Sequence, residues 1–130
     1  MAHGESERGA GETAALAAFV TETTAADVPE SAFADARVAI RDYLGVAVYG
    51  AHHGVGERIA AHVDATMPGD GASVVARGRA SPTGAALANG TFGHAVDYDD
   101  TFESIVIHPT SPVFAAALAA VEHADDANDA

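Results

Sequence analysis

The sequence predicts a mainly α-helical fold, and three observations carry that reading. Apolar residues recur at three-to-four spacing in successive segments, Ser-Pro pairs at 81–82 and 111–112 mark helix starts, and only Ala72 to Ala76 leans toward a strand. Met1 to about Gly11 carries Gly, Glu and Ser without periodicity and is expected to form a tail. Helical patterning begins near Glu12, where Leu16, Phe19 and Val20 share a face, and the Thr run with Asp27, Val28 and Pro29 stops it. A longer helix follows, with Pro29 at its first turn and Glu30 and Asp35 near the positive end of its dipole. Phe33, Ala36, Ile40, Leu44, Ala47 and Val48 form its apolar stripe, and Gly50 ends it. Gly45 beside the stripe predicts a backbone packed closely against it. A third helix from about Gly54 to Met67 places Val55, Ile59, Val63 and Met67 in register, and MPGDG is a turn signal.

Ser81 as N-cap and Pro82 at the first helical position open a fourth helix, whose small residues suit the middle of an all-helical domain. Asp97 to Pro109 reads as an irregular charged loop, and Ser111-Pro112 starts the last helix, VFAAALAAVEHA. The acidic stretch from 125 to 130 is expected to be a second tail, leaving 12–124 as one partial domain with no internal repeat or linker.

Composition narrows the partners. Six Arg, no Lys and 19 acidic residues give a net charge of −13, and no Arg follows Arg79. Neither nucleic acid nor an anionic membrane surface is expected as a direct partner, because both are bound through clustered Lys and Arg. Without cysteine there is no disulfide, zinc-cysteine site, iron-sulfur cluster or cysteine nucleophile. The N-terminus lacks the basic flank and apolar run of a secretory signal, and no later stretch is apolar enough to cross a bilayer, so a cytoplasmic protein is expected. Of the 48% apolar residues, 32 are Ala and only 26 are Val, Ile, Leu or Phe, so the core is expected to be thin. An acidic, lysine-free, alanine-rich chain matches halophilic proteins, whose carboxylates hold hydrated cations in concentrated salt; the alternative is an acidic partner-binding surface.

The chemically dense region is NGTFGHAVDYDDTFESIVIHPTSP, residues 89–112, which gathers His94, Asp97, Asp99, Asp100, Thr101 and His108. It joins two helices, so its side chains are expected to converge in the cleft between them. His108 stands just before the last helix, whose free N–H groups and positive dipole end suit a carboxylate or phosphate. An EF-hand fails, since its sixth position is Phe102 and its twelfth His108. Solvated aspartates and helix capping by Asp97, Asp99 or Asp100 remain alternatives. His52, His53 and His62 lack a metal-binding spacing. Rossmann, P-loop and serine-hydrolase motifs are absent.

LAAFV, ARVAIRDYLGVAVYG, GRASPTGAALANGTFGHAVDYDDT and HPTSPVFAAALAAVEHA together resemble the N-terminal part of the MmgE/PrpD family, which includes 2-methylcitrate dehydratases and cis-aconitate decarboxylases. The resemblance runs from Leu16 to Ala124. It implies a large helical domain joined to a smaller α/β lid, a cofactor-independent site holding no metal, a small polycarboxylate substrate and a homodimer. Carried over by position, Asp97 and His108 match catalytic positions and Thr101 a substrate-binding one. The chemistry then casts His108 as acid/base, Asp97 as the partner that orients it or handles a proton, and Thr101 as a hydrogen-bond donor to substrate; Asn89 and Asp100 are secondary candidates for substrate binding, with Asp99 shaping the loop. Only the front of the helical domain is covered, the lid is missing, and family sites also draw on lysine and later histidines. The chain is therefore expected to be inactive alone, completing a site with the missing C-terminal part, or else to be a non-catalytic helical remnant or partner-binding module.

Overall fold

In the computed structural model, residues 4–128 are described, with side chains described for 11–125. Met1 to His3, Asp129 and Ala130, which belong to the expected tails, lie outside the described residues. Among the described residues are five α-helices, a 3-10 turn and a two-stranded sheet. The chain divides into two compact units at Ala36 and Arg37, inside a continuous helix, which is why no linker composition marks the boundary.

The first unit contains α1 (Gly4–Glu22), the 3-10 turn Ala25–Asp27 and the beginning of α2 (Glu30–Gly50). Helix α1 starts well before Glu12. Periodicity marks only an amphipathic stretch, whereas Ala, Glu and Arg sustain a helix by propensity without one. Its face of Leu16, Phe19 and Val20 is exposed. The stop after α1 is built as the sequence implies: the backbone N–H and the hydroxyl of Thr24 both donate to the Asp27 carboxylate, at 2.9 and 2.6 Å. These bonds hold the Asp27 carboxyl below its usual range.

The second unit holds the remainder of α2, then α3 (Val55–Thr66), β1 (Ala72–Val74), β2 (Gly78–Ala80), α4 (Pro82–His94) and α5 (Thr110–Asn128). Helix α4 is its centre and packs against α3, both strands and α5. Small residues make this possible, since Gly84, Ala85, Ala88 and Gly93 are all buried. Ser81 caps α4 as expected, accepting from the Gly84 N–H at 3.3 Å, with Pro82 following. The β-leaning segment finds its partner in β2, antiparallel, with Ala72 opposite Ala80 and Val74 opposite Gly78.

The core is thin, as the composition implies. Its largest fully buried side chains are Tyr43, Phe92, Val63 and Asn89, and most of the rest are alanines. Tyr43 meets Phe114 edge to face at 5.1 Å and donates its hydroxyl to the Asn89 carbonyl at 2.8 Å. Burial pushes the Tyr43 hydroxyl pKa far above its ordinary value.

Three expectations about these helices are corrected. Within the second unit, α2 buries Tyr43, Val46, Ala47 and Gly50, while Leu44 and Val48 of the expected stripe are exposed. The helix is apolar on more than one side, and the side carrying Tyr43 is the one whose polar tip finds a buried acceptor. A Cβ at Gly45 would meet nothing within 4 Å; the close approach is at Gly50, where a Cβ would strike the Phe92 carbonyl. Helix α5 begins at Thr110, one residue before Ser111, and runs through residues 125–128, where a tail was expected.

Candidate active site

Two helix ends build the site. His94 is the last residue of α4, and its chain leaves the helix through Asp97, which adopts φ +53° and donates its N–H to the His94 carbonyl at 3.2 Å. This left-handed turn is one that Asp tolerates better than most residues. It carries the chain into the loop 98–109, pinned by the Phe102 N–H donating to Ile107 at 2.8 Å. His108 thereby returns beside His94, with ring centroids 4.7 Å apart.

Asp99 lies at the centre of the cluster, with its side chain 1% exposed. One carboxylate oxygen, Oδ2, accepts the Ser111 hydroxyl from the first turn of α5 at 2.6 Å. The other, Oδ1, faces Nδ1 of His94 at 2.9 Å and Nδ1 of His108 at 3.3 Å. Burial pushes the Asp99 carboxyl up, but the hydrogen bonds from Ser111 and His94 outweigh it and hold it below the usual carboxylate range. On the opposite edge of the His108 ring, Nε2 lies 3.7 Å from Oδ1 of the exposed Asp97.

A cavity of about 330 Å³ opens onto this cluster, lined by Gly90, His94, Asp99, His108, Ser111 and Pro112. A neighbouring pocket of about 460 Å³ shares Gly90, His94 and Pro112 with it and is otherwise mostly apolar. These volumes are in the range of small-molecule sites. A larger, mostly apolar groove of about 810 Å³ runs along α2 past Val46, Tyr49, Val96 and Tyr98, with Arg41 and Asp42 also in its wall.

The expected residues fall in different places. Asp97 and His108 face one another. Thr101 is exposed on the loop and does not line the cavity. Asp100 accepts the Thr110 N–H at 3.2 Å and its hydroxyl at 2.7 Å, so its carboxylate caps α5 and fills part of the anion-binding end proposed for that helix. Asn89 is buried and spent on the sheet: its carbonyl oxygen accepts the Val75 N–H and its amide donates to the Ser73 carbonyl, both at 2.8 Å. Asn89 thus ties α4 to the hairpin, with one amide hydrogen and one carbonyl lone pair left over, and Asp100 caps α5. His94, Asp99 and Ser111 do more at the site than the sequence indicates. The signal available for them was the spacing His94, Asp97, Asp99 across a helix end.

His94, Asp97, Asp99 and His108 offer nitrogen and oxygen atoms within 4.8 Å of one another, donor types that a divalent cation also accepts. His94 Nδ1 lies at hydrogen-bonding distance, 2.9 Å, from Asp99 Oδ1. What the arrangement supplies chemically is a pair of imidazoles backed by one buried carboxylate, at the edge of a cavity, with a second carboxylate beside His108.

The family model described as the MmgE/PrpD N-terminal domain matches residues 14–129. The chain belongs to the MmgE/PrpD family. Among curated proteins it is similar to the cis-aconitate decarboxylase-like protein oryM of Aspergillus oryzae, with 32% identity over 111 residues, 85% of this chain and 23% of that relative. The chain thus spans about a quarter of the relative's length. No solved structure gives a significant match. Within this MmgE/PrpD domain no helix among the described residues is long and apolar enough to cross a membrane.

Proposed function

We propose that this MmgE/PrpD chain carries the proton-transfer part of a lyase site that acts, without a cofactor, on a small polycarboxylate by dehydration or decarboxylation. The carrying observation is His108, held between the Asp97 and Asp99 carboxylates at a cavity edge in a chain of this family. Removing a proton beside a carboxylate while a β-hydroxyl departs, or delivering one where CO₂ leaves, needs a positioned acid or base. His108 is that group, Asp97 orients it or handles its proton, and Thr101 donates a hydrogen bond to substrate from the exposed loop.

A polycarboxylate also needs cations to hold it. Eight acidic residues and no Arg follow Arg79, and Arg79 itself lies 3.6 Å from Glu122. None of the described Arg lines the cavity at His108, so cations to hold a polycarboxylate there would come from the rest of a family-length polypeptide, from a second copy, or from both. Exposed apolar residues supply surfaces for such assembly: Val38, Leu44, Val48 and Tyr49 on α2, and Val113 and Val121 on α5. The same surfaces support a second reading, a non-catalytic partner-binding module.

The test is turnover of 2-methylcitrate and cis-aconitate at high salt, by the chain alone and after reconstitution with the remaining three-quarters of a family-length polypeptide. Turnover by the reconstituted pair, lost in His108→Ala, is expected. A stable but inactive pair on both substrates would favour the binding module.

A further inference from the structure

His94 is absent from the proton-transfer scheme above, yet it lies on both cavities at the cluster and presents its ring to the same carboxylate oxygen as His108. Asp99 is buried and ionised, so it can only accept hydrogen bonds, and a carboxylate oxygen has room for two donors. His108 Nδ1 is buried with no aligned hydrogen-bond partner, and the nearest anionic oxygen is Oδ1 of Asp99 at 3.3 Å. Facing an anionic oxygen that can only accept, that nitrogen is favoured electrostatically when it carries a proton and disfavoured as a lone pair. His94 is half exposed, but its Nδ1 lies within hydrogen-bonding distance, 2.9 Å, of the same oxygen, which can only accept. An imidazole that keeps its proton on Nδ1 leaves Nε2 as the basic atom, on the ring edge turned away from Asp99.

We propose that Asp99 is a positioning residue for two histidines, fixing His94 and His108 together as Nδ1–H imidazoles whose unprotonated Nε2 atoms make His94 a second proton acceptor at the cavity. This rests on the lyase reading, which it extends by one residue. The charged groups facing the pair among the described residues are Asp97, on the Nε2 side of His108, and Asp99; α5 contributes the neutral hydroxyl of Ser111, and Asp100 is turned to Thr110. Each imidazole takes up a proton at Nε2 and keeps the one at Nδ1, so Asp99 remains an anion throughout.

The experiment is long-range ¹H–¹⁵N correlation of the histidine rings in the full 130-residue chain, at mildly alkaline pH with a chelator present, assigned with His94→Gln and His108→Gln. Both rings are expected in the Nδ1–H form, against the Nε2–H preference of free imidazole. His94→Gln is expected to leave His108 as Nδ1–H, and Ser111→Ala, which touches neither ring, to leave both unchanged. Asp99→Asn is expected to return at least one ring to Nε2–H. An Nε2–H signal from either ring in the unsubstituted protein would overturn the proposal, whether or not any variant folds. Because no substrate enters, wrong tautomers beside an active reconstituted pair would sink this inference alone, and right tautomers in an inactive pair would sink the lyase reading alone.

Discussion

A single carboxylate organises the chemistry of this domain. Asp99 is buried, bonded to Ser111 and His94, and held below the usual carboxylate range despite the cost of burial. A carboxyl whose folded pKa is depressed contributes stability above its unfolded value, about 3.9, and loses that contribution as pH falls through the lower folded value. Asp99→Asn is therefore expected to be less stable than the unsubstituted protein near neutrality, with the gap narrowing as pH drops below about 4. Urea midpoints across that range measure it, and a constant gap would mean that Asp99 acts through shape alone. His108 and Asp97, nominated by matching the family's positions, stand 3.7 Å apart. The bonds of Asn89 to the hairpin and of Asp100 to the start of α5 were not legible, because they depend on which backbone groups need a partner.

Two positions around the end of α4 work in opposite senses. Gly93 is buried, and a Cβ there would strike the Ser111 hydroxyl and lie 2.6 Å from the Tyr43 ring. Gly93→Ala is expected to cost about 1–3 kcal/mol and to disturb the Ser111 bond to Asp99. Asp97, at φ +53°, sits where glycine is at ease, so Asp97→Gly is expected to keep stability or raise it by up to about 1 kcal/mol while removing the carboxylate beside His108. Thermal melts of the two variants decide this; a destabilised Asp97→Gly would mean that the carboxylate, not the turn, governs that helix end. Helix existence was readable from spacing and caps, and α2 and α3 end close to where their patterns do. Which face turns inward was not readable, because alanine-rich helices are apolar on several sides and only the position of a polar tip such as that of Tyr43 separates them.

For the whole chain, −13 must be accommodated by a core built mostly from alanine. We expect the melting temperature to rise by several degrees from about 0.1 M to 1 M KCl, as the screening length falls from about 10 to 3 Å. A flat response would assign the acids to partner binding instead of salt adaptation. The groove beside Gly45 was not foreseeable, since it takes Val96 and Tyr98 from the turn beyond α4 to wall it. The acid–base cluster, by contrast, is local: His94 to Asp99, Asp100 to Thr110 and Asp99 to Ser111 span five, 10 and 12 residues. Short closures carry little loop entropy and form quickly. During synthesis the histidine pair can therefore be assembled once the first turns of α5 have left the ribosome, since its hydrogen bonds need no residue outside 94–111.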